Sequence, residues 1–466
     1  MAIPVVSVET MRAWEQATWQ QGTTEAEVIA LVGESIATWI RRHFGSAKRI
    51  LILAGKGHNG DDGRAAANNL AALETQVIDV ADPLGSTPAV IESLDANPDL
   101  VLDCLFGIGL SRPLTAPWAK LIERINRSSA AIISIDVPSG LDAQTGIPMG
   151  NAIHADYTLT IGAPKEGMIK ASARAYVGYI RPLTEIGLTT RPNGNKLFFS
   201  EPQDFRSFPP KRTPNGYKGS HGHLRIIAGS SGYHGAAVLA ARAAMRAQPG
   251  LITLETMPDC YIPVAAQLQQ VMVRPWTPKK SSLKNSALLV GPGLASETLS
   301  PELKHEVSAL WKTANIPVIA DASALDWLPQ GPIESTAARV LTPHPGEAAR
   351  LLRCTTYEIE QDRSDALVTI SDTYADAWVV LKGPHTLIGR SRGRLHINAT
   401  GNPGLAQGGS GDVLAGVIGG FMAQSRNLQQ LEKALPYCVW QHGAAADRLS
   451  WERPNWIVED LPNALS

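Results

Sequence analysis

The sequence predicts an α/β protein of two doubly wound domains, each a parallel sheet with helices on both faces. Short apolar runs of strand length, such as RILILAG and HLRIIAG, alternate with longer helical patterns. Most of these runs end in glycine-rich or acidic loops, where an open sheet presents its ligands. Length agrees, because 466 residues exceed one ordinary core and 44% apolar content can fill two.

The 42 basic and 43 acidic residues nearly cancel. That balance argues against a nucleic-acid partner or a polybasic membrane surface, and favours a small-molecule ligand. Cys104, Cys260, Cys354 and Cys438 form no CxxC pair, so neither a disulfide framework nor a zinc site is expected, and a reducing cytoplasm is the expected home. MAIPVVSVETMRAW has no basic start followed by a long apolar run. No stretch approaches ~20 uninterrupted apolar residues, so neither a signal peptide nor a membrane span is expected.

From Ser7 to about Gly45, Met11, Trp14 and Ala17, then Val28, Leu31, Ile36, Trp39 and Ile40, recur at helical spacing and predict two opening helices. RILILAG reads as a buried parallel strand feeding the loop GKGHNGDDG, an alanine-rich helix and a second strand, QVIDVA. Gly55, Gly57 and Gly60, with Asp79 further on, also fit a dinucleotide fingerprint, which makes a nicotinamide dehydrogenase a competing reading. Against it, Asp61 and Asp62 at a helix start would repel a pyrophosphate; such a loop suits a cation or sugar hydroxyls. DLVLDCLFGIGL then presents Asp103, and AIISIDVPSGLD presents Asp136 and Ser139. Asn59, Asp103 and Ser139 thus offer hard oxygen ligands from three successive strand ends, although any single Asp there could merely cap a turn.

Between Arg181 and Gly222 periodicity fails and prolines accumulate, which places the junction in this segment, with domains at 1–205 and 206–466. The second domain opens with HLRIIAGSSGYHGAA, followed by strands in SALLVGPGL, PVIADASAL, ARVLTPHPGE and WVVLKGPHTLI. Asp321, His344, Glu347, Lys382 and Thr386 fall at the ends of these strands.

The chemistry concentrates in NATGNPGLAQGGSGDVLAGVIGGFMAQ, Asn398 to Gln424, where a glycine-rich loop enters an apolar helix with Asp412 at the joint. A helix start leaves N–H groups unpaired and carries the positive end of the macrodipole, so phosphate is the natural guest. Asp412 beside Gly408, Gly409 and Gly411 then reads as a base aimed at a substrate hydroxyl, in phosphoryl transfer to an alcohol. The competing reading is a plain turn with Asp412 as N-cap.

GKGHNGDDG, DCLFGIGL, IDVPSGLDAQTG and IGAPKEG, in this order, resemble the N-terminal domain of NAD(P)H-hydrate epimerase, whose loop usually reads NNGGDG, so His58 and Asp61 depart from it. The resemblance implies that Asn59, Asp103 and Ser139 hold potassium. It also implies that His58, Asn59, Gly60, Asp61, Asp62, the loop Gly107, Ile108, Gly109, Leu110, Ser111, Arg112 and Pro113, and Asp136 contact a hydrated nicotinamide dinucleotide. Epimerisation needs acid and base groups such as Asp136, with Lys165 a second candidate of a type more commonly found at the surface.

GSSGYHGAA, GPGL, DASAL, TPHPGEAARLL, LKGPHT and NPGLAQGGSGD are similar to the ribokinase-like NAD(P)H-hydrate dehydratases. With the N-terminal match, the whole resembles the bifunctional hydrate repair enzymes, a Rossmann-like three-layer sandwich followed by a ribokinase-like one. The resemblance implies that Ala236, Gly293, His344 and Asp412 contact the hydrated dinucleotide. Lys382, Gly383, Pro384, His385 and Thr386, with Gly408, Gly409, Ser410 and Gly411, would contact ADP. Asp412 would take the hydroxyl proton while the loop amides and Mg2+ meet the phosphoryl charge, and phosphate would then leave. The expected partners are hydrated NADH and NADPH and ADP, with no nucleic acid and no membrane, in a homo-oligomer. The alternative is a ribokinase-like small-molecule kinase carrying a non-catalytic N-terminal binding domain.

Overall fold

The computed structural model describes residues 2–70, 73–212, 214–278, 284–297 and 299–465. The chain divides into two compact units, Ile3–Lys196 and a second from Leu197 onward. The strand Leu197–Ser200 runs in register beside Leu395–Asn398, which draws the division back from 205/206 to Lys196/Leu197. Among the described residues no helix is long and apolar enough to cross a membrane.

In the first unit the two opening helices span Val8–Gln20 and Glu25–His43. Thr24 and Glu27 form a capping box that satisfies orphan amides at the second helix start. A Cβ on Gly33 would stand 2.6 Å from Ala65 Cβ, so glycine lets this helix pack directly on helix His58–Asn69. The parallel sheet runs Glu74–Asp79, Arg49–Ala54, Leu100–Cys104, Ala131–Ile135, Tyr157–Ile161, Tyr179–Leu183. The first crossover from Arg49–Ala54 goes to one side and the next strand lies on the other. A crevice therefore opens between Arg49–Ala54 and Leu100–Cys104, at the ends carrying Asn59 and Gly107.

In the second unit the order is Leu197–Ser200, Leu395–Asn398, Leu387–Gly389, Trp378–Leu381, Arg339–Leu341, Val318–Ala320, Ala287–Val290, His223–Ile227, Leu251–Thr256, Met272–Pro275. The sheet is parallel except at Leu387–Gly389, which is antiparallel to both neighbours. The KGPHT turn is too short for a crossover, so it makes a hairpin where the sequence pattern suggested a purely parallel sheet. Here the switch point lies between His223–Ile227 and Ala287–Val290. The helix Ser410–Met422 is buried along nearly its whole length, against helix His234–Arg246 and the sheet.

Candidate active sites

In the first unit the crevice closes around Asp136, a non-glycine residue held at φ 66°. Such a conformation persists only where the surroundings impose it, commonly at functional sites. Here they do: Ile161 N–H and Ile108 N–H donate to its two carboxylate oxygens at 3.3 Å, and Lys165 Nζ donates to Oδ1. Lys165 is not the surface lysine its residue type suggests; it is fully buried, and also donates to Thr160 Oγ1 at 3.1 Å and Ile161 O at 2.9 Å. A Cβ on Gly107 would lie 3.0 Å from Asp136 Oδ2 and 3.6 Å from Asn59 Cγ, so glycine permits the two loops to meet.

Asn59 is buried, and among the described residues neither its Nδ2 nor its Oδ1 has a hydrogen-bond partner. An unsatisfied buried amide is costly, and a ligand that accepts from or coordinates it would remove that cost. Asp103 is different. Its oxygens accept from Ser134 Oγ at 2.7 Å, Ser139 N at 2.8 Å and Leu105 N at 3.3 Å. Burial pushes its carboxyl up, and these bonds oppose the rise. Ser139 Oγ in turn accepts from Phe106 N at 2.8 Å. Asp62 is 4% exposed, and burial, with Asp136 and Asp61 adding like charge, raises its carboxyl well above the usual range.

The other expected contacts lie further out. His58 Nδ1 is 2.9 Å from Glu25 Oε1, and Asp61 is engaged by Arg64 at 2.8 Å. Ser111, Arg112 and Pro113 are exposed beyond the partly buried Ile108 and Leu110, and Gly109 is open to solvent with nothing within 4 Å of a Cβ. Asp79 is held by Arg64 at 2.7 Å, and Gly60 packs on the carbonyl of Gly55, 2.0 Å from where a Cβ would sit. Gly60 is thus required by packing, Gly57 is open, and the acid that the dinucleotide fingerprint needs, Asp79, is paired with Arg64.

In the second unit the loop ahead of Ser410–Met422 ends at Gly409, the actual N-cap, with φ 98° and Leu239 Cδ1 2.5 Å from a would-be Cβ. Asp412 is therefore not the N-cap. It stands on the first turn, where the N–H groups of Gly411 and Asp412 meet no backbone carbonyl among the described residues. Burial pushes its carboxyl up to about 7; Asp321 and Glu347 add to the rise and Lys382 opposes it.

Lys382 Nζ would lie 3.2 Å from a Cβ on Gly411. Burial works against its charge, but Asp321, Glu347 and Asp412 outweigh that and hold its pKa above the ordinary lysine value. Asp321 also accepts from Thr342 Oγ1 at 2.6 Å. His344 caps helix Pro345–Leu352, its Nδ1 accepting from Gly346 N at 3.0 Å and Glu347 N at 3.3 Å, while its own N–H donates to Glu347 Oε2 at 2.7 Å.

A Cβ on Gly293, at φ 65°, would be 2.9 Å from Ala236 Cβ, so the loop after Ala287–Val290 packs on the first turn of helix His234–Arg246. Gly291 of the same loop lies against the carbonyl of Asp321. Lys382–Thr386 form a tight turn, with Gly383 and His385 at positive φ and Thr386 Oγ1 donating to Gly383 O at 2.8 Å; Pro384 is exposed. Gly408 is open, with nothing near a Cβ. The acids Asp321 and Glu347, noted at strand ends but not assigned to the site, complete its charge balance. Their signal was position alone.

The description NAD(P)H-hydrate dehydratase belongs to the family whose model matches residues 224–465, and YjeF-related protein N-terminus to the one matching residues 25–88 and 80–167. The bifunctional NAD(P)H-hydrate repair enzyme of Coxiella burnetii is 31% identical over 95% of this chain and 94% of its own length. That of Escherichia coli K12 is 34% identical over 92% of this chain and 86% of its own. A crystal structure of the ADP/ATP-dependent NAD(P)H-hydrate dehydratase from Bacillus subtilis, co-crystallized with ATP/Mg2+, is 29% identical, covering 56% of this chain and 93% of its own with a TM-score of 0.51. With matches along nearly its full length, the chain belongs to the family of bifunctional NAD(P)H-hydrate repair enzymes.

Proposed function

We propose that the second unit dehydrates the S hydrates of NADH and NADPH at the expense of ADP, and that the first interconverts the R and S hydrates. The observation that carries the reading is Asp412. A buried carboxyl poised at about 7, on the first turn of a helix where the Gly411 and Asp412 N–H groups meet no backbone carbonyl among the described residues, suits a general base beside a phosphate site. Hydroxide is a poor leaving group. Asp412 would accept the proton of the hydrate hydroxyl as its oxygen takes up the terminal phosphoryl group of ADP and AMP leaves; phosphate would then depart, and loss of a proton from the adjacent ring carbon would reform the ring double bond. The amides between Gly408 and Gly411 and the ammonium of Lys382 would bear the developing charge.

Asp321 and Glu347 are the carboxylates available to Mg2+, an ion commonly held by one or two carboxylates together with phosphate oxygens and water; it would add positive charge against the nucleotide. In the first unit the unpartnered Oδ1 of Asn59 fits K+, with Asp103 and Ser139 behind it. There Asp136, paired to Lys165, would move the proton in ring opening and reclosure.

The test is to incubate the full chain with both hydrate epimers, with and without ADP and Mg2+, following each epimer, phosphate and the reduced cofactor. ADP-dependent loss of the S form with equimolar phosphate, and ADP-independent exchange of R with S, are expected. A stable phosphorylated product without free phosphate would establish a kinase instead.

A further inference from the structure

The anion loop does not stand alone. From Thr400 to Ser410 it is stitched to the helix Leu431–Glu452, and Gln407 ties it to Trp456 O at 3.3 Å and Val458 N at 3.1 Å just beyond that helix. Thr400 Oγ1 donates to Trp440 O at 2.8 Å, and Gly443 leaves room for it, since a Cβ there would be 2.4 Å from that hydroxyl. Asp447 accepts from Gly401 N at 3.0 Å and from Asn402 Nδ2 at 2.9 Å. Ser450 Oγ reaches Asn402 Oδ1 at 3.2 Å. The contact at the end of the loop is made by His442, whose Nε2 lies 3.0 Å from Ser410 O.

A carbonyl only accepts, so His442 Nε2 carries the hydrogen and donates it. Ser410 O and Gly411 N–H belong to one planar trans peptide and point in opposite directions. Ser410 O also belongs to the hydrogen-bond ladder of helix Ser410–Met422, so His442 is a second donor that braces this peptide with the Gly411 N–H facing out of the helix start. Lys382 Nζ comes close to the same residue. The donated bond also polarises the peptide, making that N–H a better donor to an anion. His442 is 6% exposed and burial lowers its pKa to about 4, so it stays neutral and a donor throughout the physiological range.

We infer that His442 is a positioning residue for the nucleotide phosphate, acting through the Ser410–Gly411 peptide rather than by touching substrate. The inference rests on the reading that the nucleotide phosphate lies at Gly408–Gly411. It is tested in the full-length protein with H442F, which cannot donate, and H442Q, whose amide nitrogen reaches about as far as Nε2. Kinetics of ADP-dependent dehydration are measured for each, with the KM values for ADP and for hydrate determined separately.

Loss of one buried bond to the loop should raise KM for ADP roughly tenfold in H442F. KM for the hydrate should stay within about twofold, and H442Q should recover most of the loss. If H442F does not fold, H442N, whose amide stops short of the carbonyl, should show the same split. Equal rises in both KM values, no rise in KM for ADP, or an H442Q variant no better than H442F would overturn the inference. Wild-type protein with no affinity for ADP in the presence of Mg2+ would instead overturn the underlying phosphate reading.

Discussion

Lys382 Nζ stands 2.9 Å from Asp321 Oδ1 and 3.7 Å from Glu347 Oε2, one cation shared by two carboxylates beside Gly411. It also lowers the pKa that burial, Asp321 and Glu347 raise at Asp412. Replacing Lys382 by Met removes the cation that holds that carboxyl's pKa down. The pH–rate profile of dehydration should then move to higher pH, and ADP affinity should fall by an order of magnitude or more for loss of a charged phosphate contact. An unmoved or acid-shifted profile would refute this role.

Asp412→Asn separates chemistry from stability. Dehydration should be abolished, with ADP affinity held within a few-fold. In the wild type, kcat/KM should rise with pH up to about 7 and then level off, because the base must be ionised. Stability moves the other way. The folded-state pKa lies above the unfolded one, so the wild-type protein loses stability as pH rises from about 4 to about 7, where the folded carboxyl at last ionises. That penalty is on the order of 4 kcal/mol at most. Calorimetry should show Asp412→Asn gaining stability over wild type across that window and no further above it. A pH-independent difference would show the carboxyl is not poised as described.

How far the site was legible follows from how local each signal was. Glycine-rich loops and acids at strand ends depend on neighbouring residues, so Asp412, Asp136 and Lys382 could be singled out as candidates from the sequence, whereas the two switch points needed the strand order. Lys165 stands only as a second acid–base candidate of a type more commonly found at the surface, and His442 is not singled out. Each gains its role from a partner far along the chain, Asp136 and Ser410 respectively, and nothing in the surrounding residues reveals that partner. Asp321 and Glu347 were visible as strand-end acids, but their meaning as the charges around Lys382 needed the sheet order. The antiparallel hairpin at Leu387–Gly389 escaped because a short apolar run has the same appearance in either direction.

Asn59 and Asp103 should part company on mutation. Asp103 supports three hydrogen bonds, so Asp103→Ala strands Ser134, Ser139 N–H and Leu105 N–H in a buried place. It should destabilise the first unit by several kcal/mol. Asn59→Leu breaks no bond in the described structure and should leave the melting temperature of that unit unchanged or raised. Its epimer exchange should nonetheless fall and lose any response to K+. Thermal melts with and without K+, paired with exchange assays, decide the matter, and a destabilised Asn59→Leu would contradict the reading.

The Asp136–Lys165 pair makes the sharpest demand on the first unit. Lys165→Met leaves the Asp136 carboxylate buried without its cation, a loss typically worth about 3–5 kcal/mol. Adding Asp136→Asn removes the stranded charge, so the double variant should recover most of that stability. Neither variant should exchange the R and S hydrates, since the first lacks the cation and the double variant lacks both cation and carboxylate. Both should still dehydrate the S hydrate with ADP, because the Asp412 site belongs to the other unit. Exchange surviving in the double variant would show that the pair is a structural tie. Loss of dehydration alongside exchange would show instead that the two units do not function independently.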